Sequence, residues 1–148
     1  MSDHSIDDKA VLQQLNTVLE LELAGVIRYT HYSFMVHGFG RIPIVSWLRS
    51  QADESMLHAH EAGELVTQLG GDPSLQVGDL LSTVTHDTAK ILEESLNHEK
   101  EAVEAYSALL KLVQGKSIML EEYASRMVSD ETRHIGDVQK MLRMPGDQ

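Results

Sequence analysis

The stretch DETRHIGDVQKML, residues 130–142, decides the fold. Read with the residues before it, its apolar positions fall at Leu120, Ala124, Met127, Val138 and Met141. That three- and four-residue spacing is one face of a long helix. Two positions on the same face, Glu131 and His134, are polar. A buried ionised carboxylate is costly unless something positive faces it. The same interruption recurs on two other stripes. Glu22 stands among Leu15, Val18, Val26 and Tyr29, and Glu99 among Leu92, Leu96, Val103, Tyr106 and Leu110.

Working outward from these stripes, turn residues divide the chain into four helices within a single domain, 1–148. The first runs over about 8–36, capped by Asp7 or Asp8, and HGFGRIP (37–43) breaks it. The second runs over about 44–69 and stops at Gly70-Gly71; the third runs over about 82–113; the fourth, capped by Ser117, runs over about 117–143. No alternation suggests a strand. Helices of this length span about 37 to 45 Å at about 1.5 Å per residue. Four of them make an all-α four-helix bundle of two antiparallel hairpins. The long second connection, with room for one helical turn, crosses the length of the bundle and makes helices two and three parallel.

Composition narrows the function classes. The 148 residues carry a formal charge of −11 and no cysteine. Thiolate metal sites, disulfides and cysteine nucleophiles are excluded, and the acidic balance argues against nucleic acid as a partner. No apolar run has the length of a membrane span. The polar, acidic first residues do not resemble a signal peptide, so a cytoplasmic protein is expected.

Spacing gives the carboxylates a common purpose. Glu22 and Glu54 are 32 residues apart, as are Glu99 and Glu131; Tyr29 and Tyr106 each follow a glutamate by seven. A shift of 77 maps the first hairpin onto the second, so four helices each bring one glutamate to one centre. Glu131 and His134 share a face at i, i+3, and Glu54 and His58 at i, i+4. Four carboxylates and two imidazoles suit two divalent ions of the iron or manganese type, and their charges balance.

On these residues the chain resembles the ferritin-like di-iron carboxylate superfamily, most of all bacterioferritin. LNTVLELELAGVIRY (15–29), HEKEAVEAY (98–106) and DETRHIGDVQKML (130–142) carry the likeness, which spans about 10–142. The resemblance implies a ferritin-like bundle in which Glu54 and Glu131 bridge two irons. Glu22 with His58 would hold one iron, Glu99 with His134 the other, and Tyr29 and Tyr106 would support the ligands. Manganese or a mixed pair is the alternative metal content. The implied activity is oxidation of Fe(II) by oxygen, ferroxidase or oxidase in type. The alternative is a non-enzymatic metal- or haem-binding four-helix-bundle dimer. The acidic balance and a site within one bundle argue against a DNA-protecting mini-ferritin.

Helix two departs from the family pattern Glu-x-x-His. Aligned on His58, it puts Ser55 where the glutamate belongs; a one-residue π-bulge would reconcile Glu54 with His58, and Glu61 is the further alternative. Met56 falls where the family places a haem-ligating methionine, but a helical methionine is usually packing, and haem is not expected. The chain ends soon after the fourth helix, without the family's fifth, so a homodimer is expected rather than a large shell. The remaining histidines are read as surface residues, with His31 and His98 nearest an access route. The physiological substrate and storage of a mineral core are not legible.

Overall fold

The computed structural model describes residues 8–81 and 84–146. Four helices follow in order: α1 Asp8–Met35, α2 Arg41–Gln68, α3 Thr88–Val113 and α4 Ile118–Leu142. No described helix is long and apolar enough to cross a membrane. Asp8 opens α1, and Asp7, the other expected cap, lies outside the described residues.

Two helix starts differ from expectation. α2 begins at Arg41 rather than near residue 44, because Pro43 falls within its first turn. There a missing N–H costs nothing. α3 begins at Thr88 rather than near 82. The Asp87 side chain accepts hydrogen bonds from the Ala89 and Lys90 amides and fixes the helix start there. Ser82 itself lies outside the described residues. Ser117 caps α4, accepting from the Leu120 amide, as its sequence implies.

The 69–87 connection contains no helical turn among its described residues. It lies along the outer face of α1. Asn16 bonds Asp72 and Ser74, the Gly78 amide donates to Glu20, Arg28 donates to the Asp79 carbonyl, and His86 meets the Met35 carbonyl. A β-carbon at Gly78 would come within 3.0 Å of the Glu20 carbonyl oxygen, so glycine permits this close approach. Both run the same way, so the crossover delivers α3 to the end where α2 began. α1 and α3 are antiparallel, as the pairings Gln14–Ala105 and Tyr29–Glu99 show. α2 and α4 are antiparallel too, pairing Glu61 with Arg126 and Gln68 with Met119.

The core has two parts. One packs Leu15, Val18, Ala62, Leu109 and Met127 toward one end, and the other packs Tyr29, Tyr32, Val36, Leu48 and Ile91 toward the other. Between them lie the buried polar residues Glu22, His58, His98, Glu99 and Glu131. The polar positions that interrupt the stripes thus form one layer across the middle of the bundle.

Candidate metal centre

Each helix supplies side chains to this layer because each stripe places them at mid-length. Glu22 is 2% exposed, Glu131 3%, Glu99 4% and His58 9%. The structure brings them into two groups, Glu22–His58–Glu131 and Glu99–Glu131–His134, whose donor atoms lie within 4.8 Å of one another in each group. Glu131 belongs to both.

The groups are related by an approximate twofold pattern. Nδ1 of His58 lies 2.8 Å from Glu22 and 3.4 Å from Glu131. Nδ1 of His134 lies 3.4 Å from Glu131 and 3.7 Å from Glu99. The far nitrogens, Nε2, face Glu54 at 3.7 Å and 3.3 Å. Glu54 stands apart from the buried carboxylates: its side chain is 37% exposed, and it closes the layer on the solvent side. The π-bulge that would reconcile the two alignments is absent. α2 is an unbroken α-helix through this region, and Glu54 and His58 sit one regular turn apart. Ser55 is buried in the same cavity. Glu61 pairs with Arg126 across α2 and α4 and does not line that cavity.

Electrostatics divide the carboxylates. Burial pushes the Glu22 carboxyl up to about 7, against the pull of His58. Burial, reinforced by the hydrogen bond with Glu131, pushes Glu99 up to about 8. Burial opposes the charge on Glu131 as well, but hydrogen bonds from Glu99, His134 and His58 hold it well below the usual carboxylate range. Burial would lower His58, yet Glu131 and Glu22 raise it to about 10. Contacts with Glu131, Glu54 and Glu99 push His134 up to about 12. The hydrogen bond from His134 lowers Glu54. Without metal, protons on four groups offset the charge that opposing carboxylates would build.

The donor set fits a pair of divalent cations. It is all oxygen and imidazole nitrogen. The buried Oε2 of Glu22 has no hydrogen bond directed at it, although His58 is close. A carboxylate so buried needs a positive partner, a place a divalent cation would take when His58 gives up its proton.

Of the two tyrosines, Tyr29 meets a ligand candidate and Tyr106 does not. Tyr29 donates across the bundle to Glu99, the glutamate of the other hairpin. Tyr106 makes no hydrogen bond with Glu22; its ring packs edge-on against Tyr123 at 6.0 Å, and its buried hydroxyl lies near that of Tyr123. His98, expected at the surface, is 3% exposed and lines the cavity beside the ligand candidates. Its place directly before Glu99 gave no signal, because adjacent helical positions point about 100° apart. His37, His60 and His86 are exposed and His31 is half-buried; His4 lies outside the described residues.

Residues 12–144 match the ferritin-like domain family. The chain belongs to it. Bacterioferritin from Desulfovibrio desulfuricans is 28% identical over 140 residues, covering 91% of this chain and 76% of that protein. Two solved structures share the ferritin-like fold, each with a TM-score of 0.85. One, a ferritin-like, diiron-carboxylate protein from Bacillus anthracis, is 24% identical and is covered in full, with 97% of this chain aligned. The other is a dodecameric thioferritin, the bacterioferritin-related protein of Bacteroides fragilis. It is 22% identical over 93% of this chain and 87% of that one. Membership of the ferritin-like family suggests iron handling.

Proposed function

We propose that this ferritin-like protein binds two iron ions and oxidises Fe(II) with oxygen. The observation that carries the proposal is the position of Glu131, buried and shared between two groups that each add one glutamate and one histidine. Glu22 and His58 hold one ion, Glu99 and His134 the other, and Glu131 bridges them. Glu54, which faces both histidines from the solvent side, would be the sixth ligand. When bound, iron supplies the electrons that reduce oxygen. The chain's own part is to hold six donors in a layer walled by two apolar cores, which excludes bulk water. Loading displaces the protons that Glu22, Glu99 and both histidines carry in the metal-free protein. Tyr29 orients Glu99 through its hydroxyl. Manganese or a mixed pair fits the same donors. We place the protein in the cytoplasm as a homodimer, a mass that sedimentation measures.

Anaerobic loading with Fe(II), followed by oxygen, tests the reading. Two irons per chain and a fast rise of near-ultraviolet absorption are expected, and both are lost in Glu131→Ala. Failure to take up stoichiometric iron overturns the proposal. Uptake without oxidation favours the non-enzymatic metal-binding alternative.

A further inference from the structure

The two halves of the centre are not equivalent in what surrounds them. On the Glu22 side, Oε2 meets the His58 ring at 2.8 Å and no tyrosine hydroxyl reaches the carboxylate. On the Glu99 side, Tyr29 donates to Oε1, leaving Oε2 to face His134 at 3.7 Å. One oxygen is tied and the other aimed at the cavity, so the carboxylate plane on this side is fixed by Tyr29. Its phenol ring is in turn boxed by three edge-on neighbours. Tyr32 and Trp47 meet it from the apolar core, at 6.3 Å and 6.4 Å between ring centres. The third is His98, closest at 5.8 Å and crossing at 82°, and it alone of the three lines the metal cavity.

His98 occupies a slot that α1 opens. A β-carbon at Gly25 would sit 2.9 Å from His98 Nε2 and 2.9 Å from Ser55 Oγ, so the ring reaches Tyr29 only because residue 25 is glycine. The ring is 3% exposed, and its Nδ1 has no partner among the described residues. A buried polar atom of this kind costs stability, and an aliphatic side chain of similar size would pack without that cost. We infer that His98 is a positioning residue: its imidazole, admitted by Gly25, holds the Tyr29 ring so that the hydroxyl stays on Glu99 and orients the Glu99–His134 half for metal. The inference rests on the two-ion reading above and adds an asymmetry to it. The Glu99 half is braced through His98 and Tyr29, and the Glu22 half has no tyrosine brace of this kind.

Calorimetric and visible-absorption titrations with Co(II) test it. The wild-type chain is expected to bind two ions in two steps, and the step lost in Glu22→Gln identifies the other half. His98→Leu removes the ring but fills the slot, so the metal-free variant melts no lower than wild type. It nevertheless loses about tenfold in affinity at the Glu99 step alone, the usual scale for groups that orient a ligand. Tyr29→Phe loses the same step by a similar factor, and the double variant loses no more than either single one. The absence of any loss in His98→Leu, equal losses at both steps, or factors that multiply in the double variant would overturn the inference. Fewer than two Co(II) per wild-type chain would overturn the two-ion reading itself.

Discussion

Metal uptake should release protons, and the number released reports the charge state of the metal-free site. Four groups of that site hold protons well beyond their ordinary range: Glu22 up to about 7, Glu99 to about 8, His58 to about 10 and His134 to about 12. Glu131 and Glu54, both lowered, are already ionised. Ligands must be deprotonated to bind metal, so saturation should release about four protons per chain at pH 6 and between about two and three at pH 8. With ordinary side-chain values, the same six residues would release about one and a half at pH 6 and close to none at pH 8. The difference at pH 8 is the sharper test, because ordinary histidines are neutral there. The number is read by titrating with Co(II) in several buffers at one pH and plotting the observed heat against the buffer's ionisation enthalpy. A release below about one proton per chain at pH 8 would refute the reasoning. The histidines would then be neutral in the metal-free protein, and their close contacts with Glu22, Glu131 and Glu54 would not be charge-assisted.

Three further outcomes follow from the same layer. For Glu22, Glu99 and both histidines the folded-state value lies above the unfolded one, so their stabilising contribution is complete at low pH and lost as pH rises. The carboxylate part goes between about 4.5 and 8 and the imidazole part from about 6.5 upward. Calorimetric melting of the metal-free protein should therefore drop by roughly 5 °C or more between pH 6 and pH 9, and the metal-loaded protein should show a smaller drop. Glu54→Ala should lose at least about tenfold in metal affinity, whereas Glu61→Ala should bind metal normally and lose about 1 kcal/mol at most; the reverse order in binding isotherms would move the helix-two ligand to Glu61. Tyr106→Phe, which removes a hydroxyl near Tyr123 with no hydrogen bond to Glu22, should leave metal uptake unchanged and cost about 1 kcal/mol of stability at most; loss of an ion in that variant would restore Tyr106 as a ligand support.

The fold was legible because its signal is periodic. Leu15, Val18, Tyr29, Tyr106, Leu120 and Met127 are buried as their spacing predicts. The crossover is legible too, because a connection of the length of 69–87 between two hairpins must go somewhere. Helix ends were less so, since they depend on single side chains. Asp87 takes two amides and sets the start of α3, and no periodicity distinguishes it from Ser82. Pro43 reads as a breaker, yet within a first turn it is harmless.

The centre was legible for the opposite reason: its residues violate the periodicity. A carboxylate on an apolar stripe announces itself, and three of the four glutamates are the most deeply placed charged groups among the described residues. Glu54 shows the limit of that argument, since a residue at the boundary of the layer looks the same in sequence whether it faces solvent or metal. His98 shows another. It lies next to Glu99, and adjacent helical positions point about 100° apart, so ligand spacing cannot predict its burial. What buries it is a residue 73 positions earlier, Gly25, whose missing β-carbon opens the slot. A position defined by what another residue lacks leaves no periodic trace. The residues that coordinate can therefore be read from one chain, while those that hold the coordinating groups in place need the packed structure.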